Sequence, residues 1–402
     1  MILAVDTSPL SNRFRYAGTG VYTFHLMSEW LKNAAAYDSD IELHGFVAAN
    51  DDWTKNGFTS PFLKVHESRF MTRLPIWIWG GLALNVARIR PDVVFLPSVM
   101  SSVQWPFTSF VSTIHDASQE RLPLAFSEVG MNGRYLSRMN AKLSTKIITI
   151  SEWSKKEIVE AYGLPPEKIQ VTYNGYNRVL YNSAPPNAEA SSELLNRWGI
   201  GKSFILHPGR VELRKNVHRL IQAWDRLRGL SKDFDAQLVL AGPMGCGHEE
   251  ILKVREGSSY REQVIVTGPL SGSDLAMLIK NASLCVFPSI YEGFCIPMVE
   301  AMACGVPTVA SNSSCLPEVS GGVLEYFDPN SVEEMGDVIR RALEDSDLRK
   351  RLREKGLLRA SQFSWERCAR ETLSALTEVA NEHLPKRKTI KASPITVSTR
   401  DR

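Results

Sequence analysis

The sequence predicts an α/β protein of two doubly wound domains, each a parallel sheet covered by helices, which face each other across a cleft. Short, continuously apolar segments alternate with helix-length amphipathic segments along the chain, as in parallel sheets buried on both faces. A Pro-, Ala- and Ser-rich stretch, 182–192, interrupts this alternation and indicates a linker between two such series. The length of 402 residues also favours two domains.

The first series predicts an amino-terminal domain over residues 1–180. Its predicted strands, each followed by a turn signal, are ILAVDTS, IELHGFVA, DVVFLPS, FVSTIHD, KIITIS and KIQVTYNG. The opening residues have no basic segment before an apolar run, so we expect a first strand there and not a signal peptide. We expect residues 181–200 to form the linker.

The second series predicts a carboxy-terminal domain over residues 201–362, with the strands SFILHPG, AQLVLAG, QVIVTG, SLCVFPS and VPTVAS. Residues 363–380 carry apolar side chains at helical spacing and predict a last helix. Residues 385–402 combine low hydrophobicity with a basic cluster, which is typical of a disordered tail. Because doubly wound sheets bind ligands at the carboxyl ends of their strands, we expect a site in the cleft.

The composition argues against several classes of protein. The net charge is only +3, which gives no reason to expect a nucleic-acid partner, and no run of residues approaches the roughly 18 apolar residues of a membrane span. The six cysteines all follow residue 245, and no two of them form a C-x-x-C pair. We therefore expect reduced, mostly buried thiols in a cytoplasmic protein, with no metal site.

One charged segment of the second domain is SFILHPGRVELRKNVHRLIQAW. Its strand ends at His207 and a helix is predicted to begin near Lys215 or Asn216, which places Arg210, Arg214 and Lys215 beside a helix N-terminus. Backbone N–H groups and cations at such a place suit a diphosphate. A solvated basic turn is the alternative interpretation.

The other charged segment is LCVFPSIYEGFCIPMVEAMACGVPTVAS. Its strand ends in a loop with Glu292 and Gly293, and Pro297 suits the first turn of a helix that contains Glu300. Two carboxylates on one strand–loop–helix unit suit the hydroxyls of a sugar and of a ribose. A plain position on the helix surface is the alternative for Glu300.

Together these segments resemble glycosyltransferase family 4. GRVELRKN and YEGFCIPMVEAMACGVPTVAS, with VLAGP and VIVTGPLSGSDL between them, carry the likeness, and GTGVYT, STIHDAS and TISEWSKKEIVEAYGLPPEKIQVTYNGYN extend it over most of the chain. The family has the GT-B fold of two Rossmann-like domains. The resemblance implies a retaining, metal-independent hexosyltransferase without a cofactor, with the helix 363–380 joined to the acceptor-side amino-terminal domain.

The resemblance also implies partners: a nucleotide-sugar donor and a glycan or lipid-diphosphate-linked acceptor in polysaccharide or lipopolysaccharide synthesis. The first loop, AGTGVYT, is similar to the G-x-G-x-Y pattern of bacterial mannosyl- and rhamnosyltransferase-like members, which favours GDP-mannose or a related GDP-sugar. UDP-sugars and dTDP-rhamnose remain alternatives, as does a catalytically silent homologue that acts as a partner subunit.

Single residues receive roles from the same resemblance. Glu292 would bind hydroxyls of the donor sugar, Arg210 and Lys215 would hold the diphosphate, and His115 would lie close to the transferred sugar; these four are the predicted catalytic residues. The predicted donor-binding residues are Gly18 and Gly20 in a glycine-rich turn, Gly209, Gly268, Leu270, Ser289, Gly293, Phe294, Cys295, Ile296 and, for the ribose hydroxyls, Glu300. Many relatives have glycine where this chain has Cys295, so the backbone at that position is of interest.

An acceptor site is predicted from a basic stripe in the first domain. Arg134, Arg138 and Lys142 recur at helical spacing, and Asp116 follows His115. Such a stripe suits an acidic, lipid-linked diphosphate or the inner face of the membrane, and a solvated helix face is the alternative. The basic tail and the Trp-containing segment 69–90 are further candidates for peripheral membrane contact.

Two D-x-D tripeptides could indicate a metal-dependent enzyme. Asp38-Ser39-Asp40 precedes a predicted strand, whereas a metal-binding version would follow one, and Asp345-Ser346-Asp347 lies in a charged helical region. Neither is placed to ligate a metal with a diphosphate, so we expect surface acids there.

Overall fold

The structure is a computed structural model that describes residues 1–10, 18–33, 41–48, 60–68, 77–99, 108–122, 130–230 and 234–383. It contains two parallel sheets, one of seven strands and one of six. The predicted fold class, two doubly wound α/β domains, is confirmed. The basic tail lies outside the described residues, as do Asp38-Ser39-Asp40 and part of the segment 69–90.

The first sheet has the strand order β3-β2-β1-β4-β5-β6-β7. Its strands are β1 (Ile2–Val5), β2 (Glu42–Ala48), β3 (Leu63–Ser68), β4 (Val93–Leu96), β5 (Phe110–Thr113), β6 (Lys146–Thr149) and β7 (Ile169–Val171). The sequence analysis did not predict β3, because this edge strand, LKVHES, is polar and largely exposed.

Helices cover both faces of this sheet: α1 (Gly18–Lys32), α2 (Leu82–Ile89), α3 (Ser118–Arg121), α4 (Gly130–Leu143) and α5 (Glu152–Tyr162). Side chains of β1 show the two-sided burial, since Leu3 and Val5 join one apolar cluster and Ala4 joins another. Shorter helical turns lie at Ser8–Leu10, Trp77–Gly81 and Pro166–Lys168.

The second sheet has the order β10-β9-β8-β11-β12-β13. Its strands are β8 (Phe204–Pro208), β9 (Gln237–Ala241), β10 (Val264–Gly268), β11 (Leu284–Phe287), β12 (Thr308–Ser311) and β13 (Glu325–Phe327). The helices of this half are α6 (Ala188–Arg197), α7 (Val217–Leu230), α8 (His248–Gly257), α9 (Gly272–Asn281), α10 (Ile296–Ala303), α11 (Leu316–Ser320), α12 (Val332–Glu344), α13 (Ser346–Ala360) and α14 (Trp365–His383), with 3-10 turns at Leu213–Lys215 and Arg261–Gln263.

The connection between the sheets differs from the predicted linker. Residues 181–200 include α6, which begins at Ala188 behind the N-cap Asn187 and packs on α9. Leu194 of α6 is buried, so an amphipathic pattern is present within a segment whose Pro- and Ser-rich start suggested a plain linker.

The last helix, α14, returns to the first sheet. It packs on α1 and contacts β4, β5 and β6. The Trp30 indole N–H donates to the Ala369 carbonyl at 2.9 Å, and the rings of His25 and Trp365 stack at 4.7 Å. The chain therefore crosses between the two halves twice.

Each sheet reverses its strand order at one place, between β1 and β4 and between β8 and β11. At such switch points the loops after neighbouring strands diverge and leave a crevice for ligands. The crevice of the second sheet lies between the loop 209–216, after β8, and the loop 288–295, after β11.

Candidate functional site

The two loops at the β8/β11 switch point are bonded to each other. The Ile290 amide donates to the Arg214 carbonyl at 3.0 Å. Asn216, which has a left-handed backbone with φ of 58°, donates from its side-chain amide to the carbonyls of Pro288 and Pro329 at 3.1 and 2.6 Å. These bonds place the residue before Asn216, Lys215, directly against the second loop.

Glu292 is the centre of the site. It is 4% exposed and Lys215 is 9% exposed, and the Lys215 ammonium forms an ion pair with Glu292 Oε1. The same oxygen accepts a hydrogen bond from the Ser289 hydroxyl at 2.8 Å. Arg214 approaches Glu292 Oε2 at 3.1 Å. Both oxygens of this buried carboxylate are therefore engaged by cations.

These neighbours decide the charge of Glu292. Burial alone would raise the pKa of its carboxyl, but the charges of Lys215 and Arg214 outweigh burial and lower the pKa to about 2. Glu292 is thus an anion at neutral pH and can accept hydrogen bonds from hydroxyl groups without first losing a proton.

The ion pairs continue from Glu292 to the predicted diphosphate residue Arg210. Arg214 also binds Glu212 at 2.7 Å, and Arg210 approaches the other oxygen of Glu212 at 3.2 Å. Burial would lower the pKa of Arg214, yet the Glu292 and Glu212 carboxylates raise it. Arg214 was predicted from the sequence as one of the cations that suit a diphosphate, whereas Glu212, which binds both Arg214 and Arg210, was not predicted to belong to the site.

The loop 288–295 touches the first domain at Gly293. A Cβ atom at Gly293 would lie 2.9 Å from the His115 carbonyl oxygen and 3.2 Å from Asp116 Cβ, so only glycine allows this approach. The Gly293 carbonyl accepts a hydrogen bond from the Ser151 hydroxyl at 2.7 Å. The loop that carries Glu292 is therefore held against the first domain beside His115.

His115 follows β5 and is held in a neutral form. Its Nε2 lies 3.0 Å from the Pro97 carbonyl, and its ring meets the Tyr22 ring edge-on at 4.9 Å. Burial lowers the pKa of His115, and an imidazole that is uncharged at neutral pH can donate a hydrogen bond from Nε2 to that carbonyl. Asp116 accepts a bond from the Ser118 amide at 2.9 Å.

Cys295 has a left-handed backbone with φ of 68° and precedes α10 as its N-cap residue. L-residues other than glycine, Asn and Asp rarely adopt this region. Glycine would adopt this conformation without a steric cost. Burial raises the pKa of the Cys295 thiol to about 12, so the thiol is un-ionised.

Glu300 lies on α10, close to Tyr181 and Cys304. Burial raises the pKa of its carboxyl to about 8. Among the described residues its carboxylate has no ion-pair or hydrogen-bond partner, in contrast to Glu292. A desolvated carboxylate of this kind gains most from a ligand that donates hydrogen bonds.

The remaining predicted donor-binding residues fall into three places. Gly209, Ser289, Phe294 and Ile296 lie with Glu292 at the switch point. Gly268 is the last residue of β10, the edge strand two places from β8, and Leu270 follows that strand. Gly18 and Gly20 lie in the first turn of α1, not in a separate turn as predicted; Tyr22 of the same helix touches His115.

The predicted acceptor stripe lies on α4 beside α3. Arg134 donates to the Gln119 carbonyl, and Arg138 binds both carboxylate oxygens of Glu120, at 2.8 and 2.7 Å. Lys142 is exposed and is the member of the stripe without a side-chain partner among the described residues. The stripe is therefore partly neutralised by its own domain.

Within the described ranges, no three His, Cys, Asp or Glu side chains lie together in an arrangement that would hold a metal ion. Asp345 accepts hydrogen bonds from the amides of Asp347 and Leu348 and so caps α13. None of the described helices combines the length and apolar character needed to cross a bilayer.

Comparison with known proteins gives two family matches. The model of Glycosyltransferase Family 4 matches residues 18–179, and the model of Glycosyl transferases group 1 matches residues 191–359. The first match covers the half with His115, and the second covers the half with Lys215 and Glu292.

Two relatives from Escherichia coli are mannosyltransferases by name. O-antigen chain mannosyltransferase B is 32% identical over 271 residues, which cover 66% of this chain and 69% of that protein. Serotype-specific mannosyltransferase WbdA is 28% identical over 325 residues, which cover 74% of this chain but 38% of WbdA. The chain thus spans little more than a third of the length of WbdA.

Among solved structures, sucrose-phosphate synthase from Thermosynechococcus elongatus has a TM-score of 0.74 at 18% identity, with 95% of this chain and 100% of that chain covered. At this identity the likeness shows a shared fold.

Proposed function

Because the chain belongs to glycosyltransferase family 4, we propose that it transfers a hexose from a nucleotide-sugar to a hydroxyl of a glycan or lipid-linked acceptor. GDP-mannose, or a related GDP-sugar, is the proposed donor. The E. coli relative named O-antigen chain mannosyltransferase B supports mannose as the sugar and O-antigen-type polysaccharide synthesis as the process.

The observation that carries the proposal is the buried group of Lys215, Arg214 and Glu292 at the β8/β11 switch point. Lys215 and Arg210 supply fixed cations for a diphosphate, and such preorganised charges lower a barrier by roughly 3 kcal/mol for each good donor. Glu292 is ionised, and the neighbouring Gly293 lies against the His115 backbone; the Glu292 carboxylate would accept hydrogen bonds from hydroxyls of the sugar. Donor binding would require Lys215 to share its charge between Glu292 and a phosphate oxygen.

The reaction that fits this arrangement retains the anomeric configuration. The bond between the anomeric carbon and the diphosphate oxygen breaks, and a bond to the acceptor oxygen forms on the same face of the sugar. The acceptor proton passes to the departing phosphate oxygen, and Lys215 and Arg210 neutralise the negative charge that develops there. We propose that no metal ion takes part, because Lys215 and Arg210 would supply the positive charge that a metal ion would otherwise bring to the leaving phosphate.

Glu300 is proposed to bind the ribose. Burial raises the pKa of its carboxyl, and two vicinal ribose hydroxyls would donate hydrogen bonds to the carboxylate. A nucleotide seated there would have its ribose on α10 and its phosphates toward the loop 209–216.

The acceptor is proposed to approach α4 of the first domain. Lys142 offers an exposed cation, and Arg134 and Arg138 extend the same helix face. An acidic lipid-linked diphosphate at the inner face of the membrane fits this charge.

A thermal-shift panel of GDP, UDP, dTDP and their sugar conjugates tests the proposal. Ligands that bind the folded state stabilise it, by about 2.7 kcal/mol at a concentration of 100 times Kd. We expect GDP and GDP-mannose to stabilise the protein selectively, with no change on addition of EDTA.

A selective response to UDP or dTDP would replace the proposed donor. The absence of any response, together with no release of nucleotide from the conjugates, would favour a silent homologue that acts as a partner subunit. Loss of turnover in EDTA that Mg²⁺ restores would contradict the metal-free reaction.

A further inference from the structure

Glu318 on α11 reaches across the cleft to the N-terminus of α5. Its Oε1 accepts from the Glu152 amide at 2.8 Å and its Oε2 accepts from the Trp153 amide at 2.7 Å. The Tyr173 hydroxyl of the first domain donates to Oε1 at 2.9 Å. Three donors of one domain are thus satisfied by a single carboxylate of the other.

The position of Glu318 is fixed within its own domain. Arg359 of α13 donates to the carbonyls of Glu318 and Val319, both at 2.9 Å. A carboxylate at a helix N-terminus is stabilised by the unpaired amides and by the helix dipole, and α5 has eleven residues. The contact therefore favours the arrangement in which the two domains meet here.

The same end of α5 holds the loop that carries Glu292. Ser151, the N-cap residue of α5, donates to the Gly293 carbonyl at 2.7 Å. On the other side of Glu292, the hydroxyl of Tyr291 accepts from the Ala117 amide at 3.2 Å. Any separation of α5 from the second domain would release this loop from the first domain.

From these contacts we propose that Glu318 is a positioning residue that latches α5 of the first domain onto the second domain and so holds Glu292 opposite His115. Glu318 itself contacts neither loop 209–216 nor His115 in the described bonds, and acts through α5. The inference rests on the proposed function, because it takes Glu292 and His115 as the groups that must face each other during transfer.

The test compares Glu318→Ala, Glu318→Gln and Tyr173→Phe in the full chain with the control Glu333→Ala. Glu333 pairs with Arg226 in the same domain, and the side chain of Glu333 is 73% exposed. Three quantities are measured for each: the radius of gyration by small-angle X-ray scattering, the affinity for GDP, and kcat and KM for release of GDP from GDP-mannose, or from the conjugate that the thermal-shift panel selects.

We expect Glu318→Ala to increase the radius of gyration and to lower kcat by about tenfold, which corresponds to ~1.4 kcal/mol. GDP affinity and KM should change little, since the described hydrogen bonds of the Glu318 carboxylate go to α5 and Tyr173 and not to the loop 209–216. Tyr173→Phe, which removes only one hydroxyl, should lower kcat by a smaller factor. The kcat of Glu318→Gln should lie between those of Glu318→Ala and Tyr173→Phe. Glu333→Ala should have the kcat of the wild type.

A wild-type kcat and radius of gyration in Glu318→Ala would overturn the proposal. It would also be overturned if Glu318→Ala loses GDP binding together with activity while Tyr173→Phe behaves as wild type, since that result indicates a fold defect. If the wild type neither binds nor turns over any nucleotide-sugar, the proposed function fails, and the scattering data alone then decide whether Glu318 latches the domains.

Discussion

Lys215 and Glu292 form a buried ion pair between two loops of one sheet, 77 positions apart in the chain. The pair exists because β8 and β11 are neighbours, so that the loops following them meet. The proposed donor would bind between these loops. Substitution of Lys215 therefore tests its proposed role in donor turnover.

Lys215→Met should remove the charge that neutralises the leaving phosphate. We expect turnover to fall by roughly 10²–10³, the usual effect of losing one electrostatic donor in an active site. Stability should fall by about 1–3 kcal/mol, because Glu292 keeps Arg214 but loses its other cation. Release of GDP and thermal unfolding measure the two effects. The control is Lys202→Met at an exposed lysine; near-native turnover in Lys215→Met would reject the assigned role.

The pH dependence of stability should reveal Glu300. Burial raises its pKa from 4.5 to about 8, so the folded state favours the protonated carboxyl. This contribution is complete below pH 4.5 and is lost as the pH rises through 8. The Tm of Glu300→Gln should therefore exceed that of the wild type by more at pH 9 than at pH 5.

The exposed residue Glu333 provides the control, since Glu333→Gln should show no such trend. Glu300→Gln should also weaken GDP binding, because the amide accepts fewer hydrogen bonds from the ribose. A Tm difference that is constant across the pH range would show that Glu300 is not desolvated.

Gly293→Ala should affect the closed cleft and not the fold of either domain. The added Cβ would meet the His115 carbonyl at 2.9 Å, which forces the domains apart. We expect kcat for GDP release to fall by about tenfold, or ~1.4 kcal/mol, while GDP affinity stays unchanged. In Gly229→Ala, where no atom lies within 4 Å of the new Cβ, both quantities should match the wild type. Equal kcat values in the two variants would contradict the close contact between Gly293 and the His115 carbonyl.

Cys295→Val should destabilise the protein through its backbone. A left-handed conformation costs an L-residue about 1–2 kcal/mol, and a β-branched side chain fits it worst. Cys285→Val provides the comparison, because Cys285 lies in β11 and β-branched residues suit strands. Chemical denaturation should therefore give a larger loss for position 295 than for position 285; the reverse order would argue against the left-handed backbone.

Lys142→Glu should impair use of an acidic acceptor and spare the donor reaction. Replacing the exposed Lys142 cation with a carboxylate turns attraction to an acidic acceptor into repulsion, and this effect should shrink as salt is added. Transfer to a lipid-diphosphate acceptor measures the first effect, and GDP release without acceptor measures the second. Lys156→Glu on α5 is the matched control. Unchanged acceptor KM in Lys142→Glu at low salt would remove α4 from the acceptor site.

Much of the fold could be predicted from local pattern. Apolar strands such as VVFL and LCVF are buried on both faces, and their composition indicates a parallel sheet without knowledge of their partners. The polar edge strand β3 and helix α6 were missed because LKVHES lacks an apolar face and the Pro-rich start of 182–192 hides the amphipathic pattern that follows.

The candidate site also has features that the sequence predicts and features that it does not. The spacing of Glu292 and Glu300 on one loop and helix, and the cations after β8, are properties of short segments, so the sequence by itself indicated these residues as candidates. The position of Glu212 between Arg214 and Arg210 was decided by the tertiary structure. The protonation states of Glu292 and Glu300 could not be predicted from the sequence. Glu292 is an anion because the charges of Lys215 and Arg214 lower the pKa of its carboxyl, whereas burial raises the pKa of Glu300.

Only the tertiary structure decided which distant groups meet. Glu318 lies 166 positions from Glu152, and no periodicity in the chain relates an acid on α11 to the amides of α5. The sequence determines strands and helices because each depends on neighbours within a few residues. The pairings across the cleft depend on strand order and on the return of α14 to the first sheet, which are set by the packing of the whole chain.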